Sequence, residues 1–373
     1  MRACQRRKYG ESSDFMAADP SHFVRSASLR RLAAVLIAVA ALGWAGLVRA
    51  EWRVVKHEGR DHVTISNIGQ FYGMARAASG SDSSFSLRSA RHSLRGRVGS
   101  NELLINGIKF ILSYPIASAG GDLLVSRMDL SKVIEPVLRP GRIAGADGFT
   151  TVVLDAGHGG HDAGARGLWG SEKQFTLDVV LRARDLLTRM GYRVKLTRDS
   201  DRFIPLEERA KFANRFPDGI FISVHFNAGG SEASGIETFT LAPRGVPSTW
   251  QDGPRVSDFQ LCAGNARDAE NMALATASHA AMLSKLGLYD RGIKRARFLV
   301  IRNVRIPGVL LEGGFVTNGH DGRKIASAQY RQQMALAIAD AVRRYKAATA
   351  GPQMPTLVVR AGEGGEGGNA AQP

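Results

Sequence analysis

The sequence predicts an α/β chain: a mixed, largely parallel sheet flanked by helices, preceded by a small strand-rich α+β domain. Two observations carry this expectation. From residue 151 onward, short apolar runs alternate with amphipathic stretches of helical length, the pattern of strand–helix–strand units. Before residue 139, short alternating runs are separated by Gly, Ser and Asn clusters, as antiparallel strands require. The 373 residues, 44% of them hydrophobic, suffice for one large domain and a smaller one.

The first 50 residues belong to neither. Arg25, Arg30 and Arg31 flank the apolar run LAAVLIAVAALGWAGLV, and Val48-Arg49-Ala50 carries small residues where a signal peptidase reads them. Residues 1–50 therefore read as a secretion signal cleaved before Glu51. The competing reading is an uncleaved anchor, for which the run is short of the about 20 residues a spanning helix needs. The polar stretch ahead of Arg25 is long for a signal flank, and a true start near Met16 or Val24 would explain it. Export to the periplasm or cell envelope is the expected outcome.

Cysteine use agrees with export. After cleavage Cys262 stands alone, so no internal disulfide can form. From Glu51 on, 42 Lys and Arg face 31 Asp and Glu, a net charge of +11. Such a surface favours an anionic partner. No helix-turn-helix, zinc-finger or aromatic RNA-binding signature accompanies the charge, so nucleic acid is not expected. An anionic wall or membrane surface is.

Residues 51–139 form the strand-rich accessory unit, with strands expected in WRVVKH, HVTIS, ELLINGIKFIL and DLLVSRMDL. Asn106-Gly107 is a hairpin signal, because both residues tolerate the positive φ of a type I′ turn. DLSKVIEPVL reads as a short helix capped by Asp129. The unit holds no cluster of His, Cys and carboxylates, so it reads as a wall-binding or positioning module, or as a spacer. Residues 140–150 are Pro/Gly/Ala-rich and read as a linker.

Within 151–346, strands are expected in TVVLDA, YRVKLTR, GIFISVHF, GIETFTLA, FLVIR and GVLLEGG. Helices are expected in EKQFTLDVVLRARDLLTRM, PLEERAKFANRF, AENMALATASHAAMLSKLG and SAQYRQQMALAIADAVRRY, with Gly191 and Gly287 as stops. The turn-rich stretch from Pro243 to Asp268 follows a strand placed near the active edge, and reads as a substrate-side loop or an ordinary surface loop. The Gly/Ala/Glu/Pro tail, residues 347–373, has almost nothing to bury and is expected to be disordered.

Four side chains in separate signatures carry the chemistry: His158 in LDAGHGGHDAGARG, Glu172 in GSEKQFTL, His225 in FISVHFNA and Glu312 in VLLEGGFVTN. His158 and His225 follow apolar strands, at the carboxyl edge where α/β sheets bind ligands. Glu172 starts a helix, where a carboxylate is also common for dipole reasons alone. His161 and Asp162 are rival ligands in the same glycine-rich stretch. Two imidazoles and a carboxylate suit Zn²⁺, and catalytic zinc sites use three protein ligands with one position open. An ionised carboxylate at the end of VLLE is costly unless functional, so Glu312 is the candidate general base. Asn227 and Arg302 are candidate substrate-binding residues.

Residues 151–346 resemble the catalytic domain of the zinc-dependent N-acetylmuramoyl-L-alanine amidases. LDAGHGG, the Glu172-Lys173 helix start, TRDSDRFIPLEERAKFAN, ISVHFNA, DRGIK and LLEGGFVTN fall in that family's order. The resemblance implies that His158, Glu172 and His225 bind Zn²⁺, that Glu312 is the catalytic glutamate, and that the substrate is peptidoglycan. It departs at Ala156, where proline is usual; the change removes no chemical group. A monomer is expected, with any regulatory protein unidentified. The alternatives are a zinc peptidase acting within the stem peptide and a non-catalytic peptidoglycan-binding protein.

Overall fold

The computed structural model describes residues 52–77 and 83–351. The expected signal segment, and the tail from residue 352 on, lie outside the described residues. Among those described, no helix is long and apolar enough to cross a membrane.

The first half runs β1 (Val54–His57), β2 (Arg60–Thr64), α1 (Ile65–Tyr72), β3 (Ala75–Arg76), β4 (Ser84–Arg88), β5 (Ser93–Arg97), β6 (Glu102–Ile105), β7 (Ile108–Ile111), β8 (Ala117–Ala119) and β9 (Asp122–Ser126). Strands β1, β2, β9 and β8 form a small antiparallel sheet. Asn106 and Gly107 take φ of 52° and 83° between β6 and β7, as the type I′ signal requires. The helical stretch that follows is capped by the Ser126 hydroxyl, not by Asp129. Asp129 is buried and instead accepts the amides of Ser113 and Tyr114 at 2.7 and 3.3 Å.

The second half runs β10 (Thr151–Ala156), the short hairpin β11 (Arg166–Gly167) and β12 (Gly170–Ser171), α2 (Glu172–Arg189), β13 (Arg193–Leu196), α3 (Leu206–Ala213), β14 (Gly219–Asn227) and β15 (Ile236–Leu241). Then come α4 (Asp268–Leu286), β16 (Asp290–Ala296), α5 (Leu299–Arg302), β17 (Gly308–Phe315), α6 (Gly319–Ala326) and α7 (Ala328–Thr349). One eleven-stranded sheet has the order β13-β10-β14-β17-β15-β16-β7-β6-β5-β4-β3. β13, β10, β14 and β17 are parallel, while β15 runs antiparallel to β17 and carries β16 parallel to itself. Sheet order and flanking helices match the expected fold class.

β10 and most of β14 are buried on both faces, which is why their sequences are near-continuous apolar runs. Val152 and Leu154 point into the core under α2, α4 and α7. Val153 points the other way, into a smaller core with Ala210 of α3 and Val300 and Ile301 of α5.

Three expectations shift. FLVIR is not a strand: Leu299–Arg302 is one helical turn closed by the amides of Ile301 and Arg302 on the Phe298 carbonyl. Four apolar residues fit either geometry, and here the chain must turn back toward the start of β17. The strand lies one motif earlier, in DRGIKRA. The segment after β15 leaves the opposite sheet edge from the one expected, because β15 runs antiparallel to β17, with Glu237 facing Glu312 and Phe239 facing Leu310. α7 also continues to Thr349, past the expected start of the tail at residue 347.

β16 pairs with β7 through Ile293 and Phe110. The strands of the first half therefore extend the same sheet.

Candidate metal centre

Everything expected of His158, Glu172 and His225 depends on one turn. β10 ends at Ala156, and the chain bends through Gly157 into His158, whose φ of 61° is left-handed. A non-glycine residue held there costs on the order of 1–3 kcal/mol and persists only where surroundings over-determine it. Two buried arginines do so. Arg198 donates Nε to the Ala156 carbonyl at 2.9 Å and Nη2 to the Gly157 carbonyl at 2.8 Å. Arg209 donates to the carbonyls of Ala156 and His158 at 2.7 and 2.8 Å. Its Nη1 also pairs with Asp155 at 2.8 Å, and Asp155 accepts hydroxyls from Thr197 and Ser223 at 2.6 and 2.7 Å. Burial alone would raise the Asp155 carboxyl, but Arg209 and the two hydroxyls hold it below the usual carboxylate range.

Glu172 opens α2 behind a capping box between Ser171 and Gln174. Its carboxylate is buried and faces both imidazoles: Oε2 lies 3.0 Å from Nε2 of His158, and Oε1 lies 2.9 Å from Nδ1 of His225. The same oxygens accept the amides of Ala165 and Phe226 at 2.9 and 3.1 Å, which fixes the carboxylate plane. Burial pushes this group up, yet the two imidazoles outweigh it and hold the carboxyl far below its ordinary value.

One ligand-type atom from each of the three residues lies within 4.8 Å of the others. Donor atoms about 2.1 Å from one tetrahedral ion lie about 3.4 Å apart, so the cluster fits a small divalent cation after a short shift of these side chains. Glycines keep the space open. A Cβ on Gly157 would fall 2.3 Å from Cε1 of His225, and one on Gly164 would fall 2.6 Å from Oε2 of Glu172.

The rival ligands have other partners. Asp162 sits behind His158, its Oδ2 at 2.9 Å from Nδ1, the carboxylate–histidine pairing that orients a metal-binding imidazole. His161 packs against the Phe203 ring, centroids 4.2 Å apart.

Glu312 lies within β17, Cα-partnered with His225 on one side and Glu237 on the other. Residues directly opposite in a sheet share a face, so Glu312 stands beside the cluster and next to a second carboxylate. Its Oε2 is buried and has no hydrogen-bond partner among the described residues. Burial, with the charges of Glu172 and Glu237 added, raises this carboxyl well above its ordinary value.

Asn227 is near the site but is held: its Nδ2 donates to Glu237 at 3.2 Å. Arg302 is not brought to the cluster. It ends α5, and the carbonyl of the next residue, Asn303, accepts from Asn214 just after α3, at the amino edge of the parallel strands. Arg198, Arg209, Asp155 and Glu237 were not singled out from sequence. For the two arginines the signal is TRDSDRFIPLEERAKFAN, which holds Arg198, Arg202 and Arg209.

Residues 152–344 match the family described as N-acetylmuramoyl-L-alanine amidase. The uncharacterized protein YqiI of Bacillus subtilis is 35% identical over 195 residues, covering 52% of this chain and 84% of that protein. The N-acetylmuramoyl-L-alanine amidase AmiA of Escherichia coli is 33% identical over 223 residues, covering 53% of this chain and 76% of AmiA. Among solved structures, the catalytic domain of the amidase CwlV from Bacillus (Paenibacillus) polymyxa is 30% identical with a TM-score of 0.44, covering 53% of this chain and 98% of that one.

Proposed function

The chain belongs to the N-acetylmuramoyl-L-alanine amidase family, and from that premise we propose that it hydrolyses the amide between N-acetylmuramic acid and the L-alanine of the peptidoglycan stem peptide, with Zn²⁺ as its cofactor. The observation that carries this reading is the Glu172 carboxylate set between Nε2 of His158 and Nδ1 of His225, with the unpartnered Oε2 of Glu312 on the strand beside His225.

His158, Glu172 and His225 hold the cation, and Asp162 keeps the His158 ring turned so that Nε2 faces it. A bound Zn²⁺ supplies Lewis acidity at the scissile carbonyl and lowers the pKa of water toward about 7. Glu312 takes the proton of the attacking water and delivers it to the departing alanine nitrogen. Oε2 of Glu312 has no competing hydrogen-bond partner among the described residues, which leaves it available for that transfer. Such a base contributes typically about 10²–10⁴-fold.

The test is digestion of purified sacculi by the protein beginning at Glu51, with metal content measured beside product masses. One zinc per chain and free stem peptides with an L-alanine amino terminus support the reading. Fragments cut within the stem peptide would assign a peptidase instead.

Export follows from the segment before Glu51. The arginine-flanked apolar run and Val48-Arg49-Ala50 direct the chain to the envelope, where the wall is. A mature protein starting at any residue well upstream of Glu51 would refute cleavage.

A further inference from the structure

His225, Glu312 and Glu237 occupy one row across three adjacent strands, β14, β17 and β15. The row continues on β16. Arg291 Nε and Lys294 Nζ both donate to Oε1 of Glu237, the lysine at 2.7 Å, while Asn227 donates to Oε2. Glu237 is buried, and its side chain is 5% exposed against 33% for that of Arg291. Two cations thus share the Glu237 carboxylate, with the Glu312 carboxyl directly opposite it. The Arg291 guanidinium rests over the Phe315 ring, 5.0 Å from its centroid, so its position is fixed on the face that holds Glu312.

Resting on the amidase reading above, we propose that Arg291 and Lys294 form a carboxylate-binding subsite that selects stem peptides with a free acid on the residue following the L-alanine. The spacing fits. Strands lie about 4.8 Å apart, so β16 is about 10 Å from β17, and both cations lean back toward β15. An extended peptide advances about 3.4 Å per residue, so a stem peptide running from Glu312 toward β16 would bring the residue after L-alanine over Glu237. Arg291 Nη1 also donates to the Ser234 carbonyl at 3.5 Å, and the side chain, one-third exposed, offers a carboxylate the donors of a planar guanidinium. Glu237 acts as the positioning residue, holding both cations and Asn227.

The experiment compares two synthetic N-acetylmuramoyl-tripeptides that differ only at the residue after L-alanine, a free carboxylate in one and a carboxamide in the other. Wild-type protein is expected to show a KM about 10-fold lower for the acid, the size of one charge-assisted contact. Arg291→Met raises KM on the acid by about that factor and changes KM on the carboxamide less, so the preference for the acid is lost. Lys294→Met acts in the same direction, and Arg291→Lys restores part of the preference. Equal KM values for the two peptides in the wild type, or an equal rise on both in Arg291→Met, overturn the subsite alone. Absence of cleavage of either peptide by zinc-loaded wild type overturns the amidase reading and the subsite with it.

Discussion

Arg209 Nη2 donates to the carbonyl of His158 at 2.8 Å, and this contact ties the strained backbone of a candidate metal ligand to a buried ion pair. The same guanidinium neutralises Asp155, which is fully buried beneath the turn. Ligand orientation and fold stability therefore share one side chain.

Arg209→Met is expected to weaken zinc affinity about 10–100-fold, the usual effect of removing a group that orients ligands. It also leaves Asp155 buried without its cation, which costs about 3–5 kcal/mol. Zinc competition titration and a urea midpoint measure the two effects separately. Unchanged zinc affinity in a folded variant would show that the turn holds itself.

Gly157→Ala tests the turn from the other side. Gly157 does not have positive φ, so the substitution adds a contact without backbone strain. Its new methyl would sit 2.3–2.6 Å from the His225 ring atoms and must push that imidazole away from Glu172. The expected result is a stable chain that purifies with well under one zinc. Full occupancy in this variant would count against His225 as a ligand.

Glu312→Gln should keep the metal and lose about 10²–10⁴-fold in kcat. Its melting temperature should match or exceed that of the wild type, because an amide replaces a buried carboxyl that lacks a partner and faces Glu237. A variant that is both inactive and strongly destabilised would assign Glu312 a structural role.

Far from the centre, Asp258 pins the segment after β15. Burial would raise its carboxyl, but the Arg255 amide, Gln251 and Arg297 hold it below the ordinary value. A carboxyl lowered in the fold adds stability that is complete above the unfolded-state value of about 3.9 and is lost as pH falls through the lower folded one. Asp258→Asn should therefore destabilise the chain at pH 6, with a smaller gap to wild type at pH 3. Urea midpoints at the two pH values decide it, and a gap independent of pH would assign the loss to packing.

His225 and Glu312 were legible because each is chemically out of place where it stands. A histidine or glutamate ending a run such as GIFISV or VLL has no reason to be there as core. Arg198 and Arg209 were not legible, since arginine in a charged motif reads as surface, and only the folded turn reveals carbonyls needing donors. The strand DRGIKRA was hidden by its own charges. Four of its seven residues are ionisable, and their partners come from β15 and from β7: Arg295 donates to the Ile111 carbonyl, and the Lys109 amide donates to Asp290. Arg302 lies away from the cluster because FLVIR forms a helical turn and not a strand running to the carboxyl edge.

The join between β16 and β7 has a practical consequence. The chain changes character near residue 150, yet it cannot be cut there cleanly. A fragment starting at Thr151 would bare the rim of β16, with unmade backbone bonds and a void where Arg295 meets Ile111, and open rims of this kind recruit other copies. The first half is a stiff handle and not a tethered passenger. Any grip it takes on the glycan mesh would be set at a distance from the cutting point measured in strand widths.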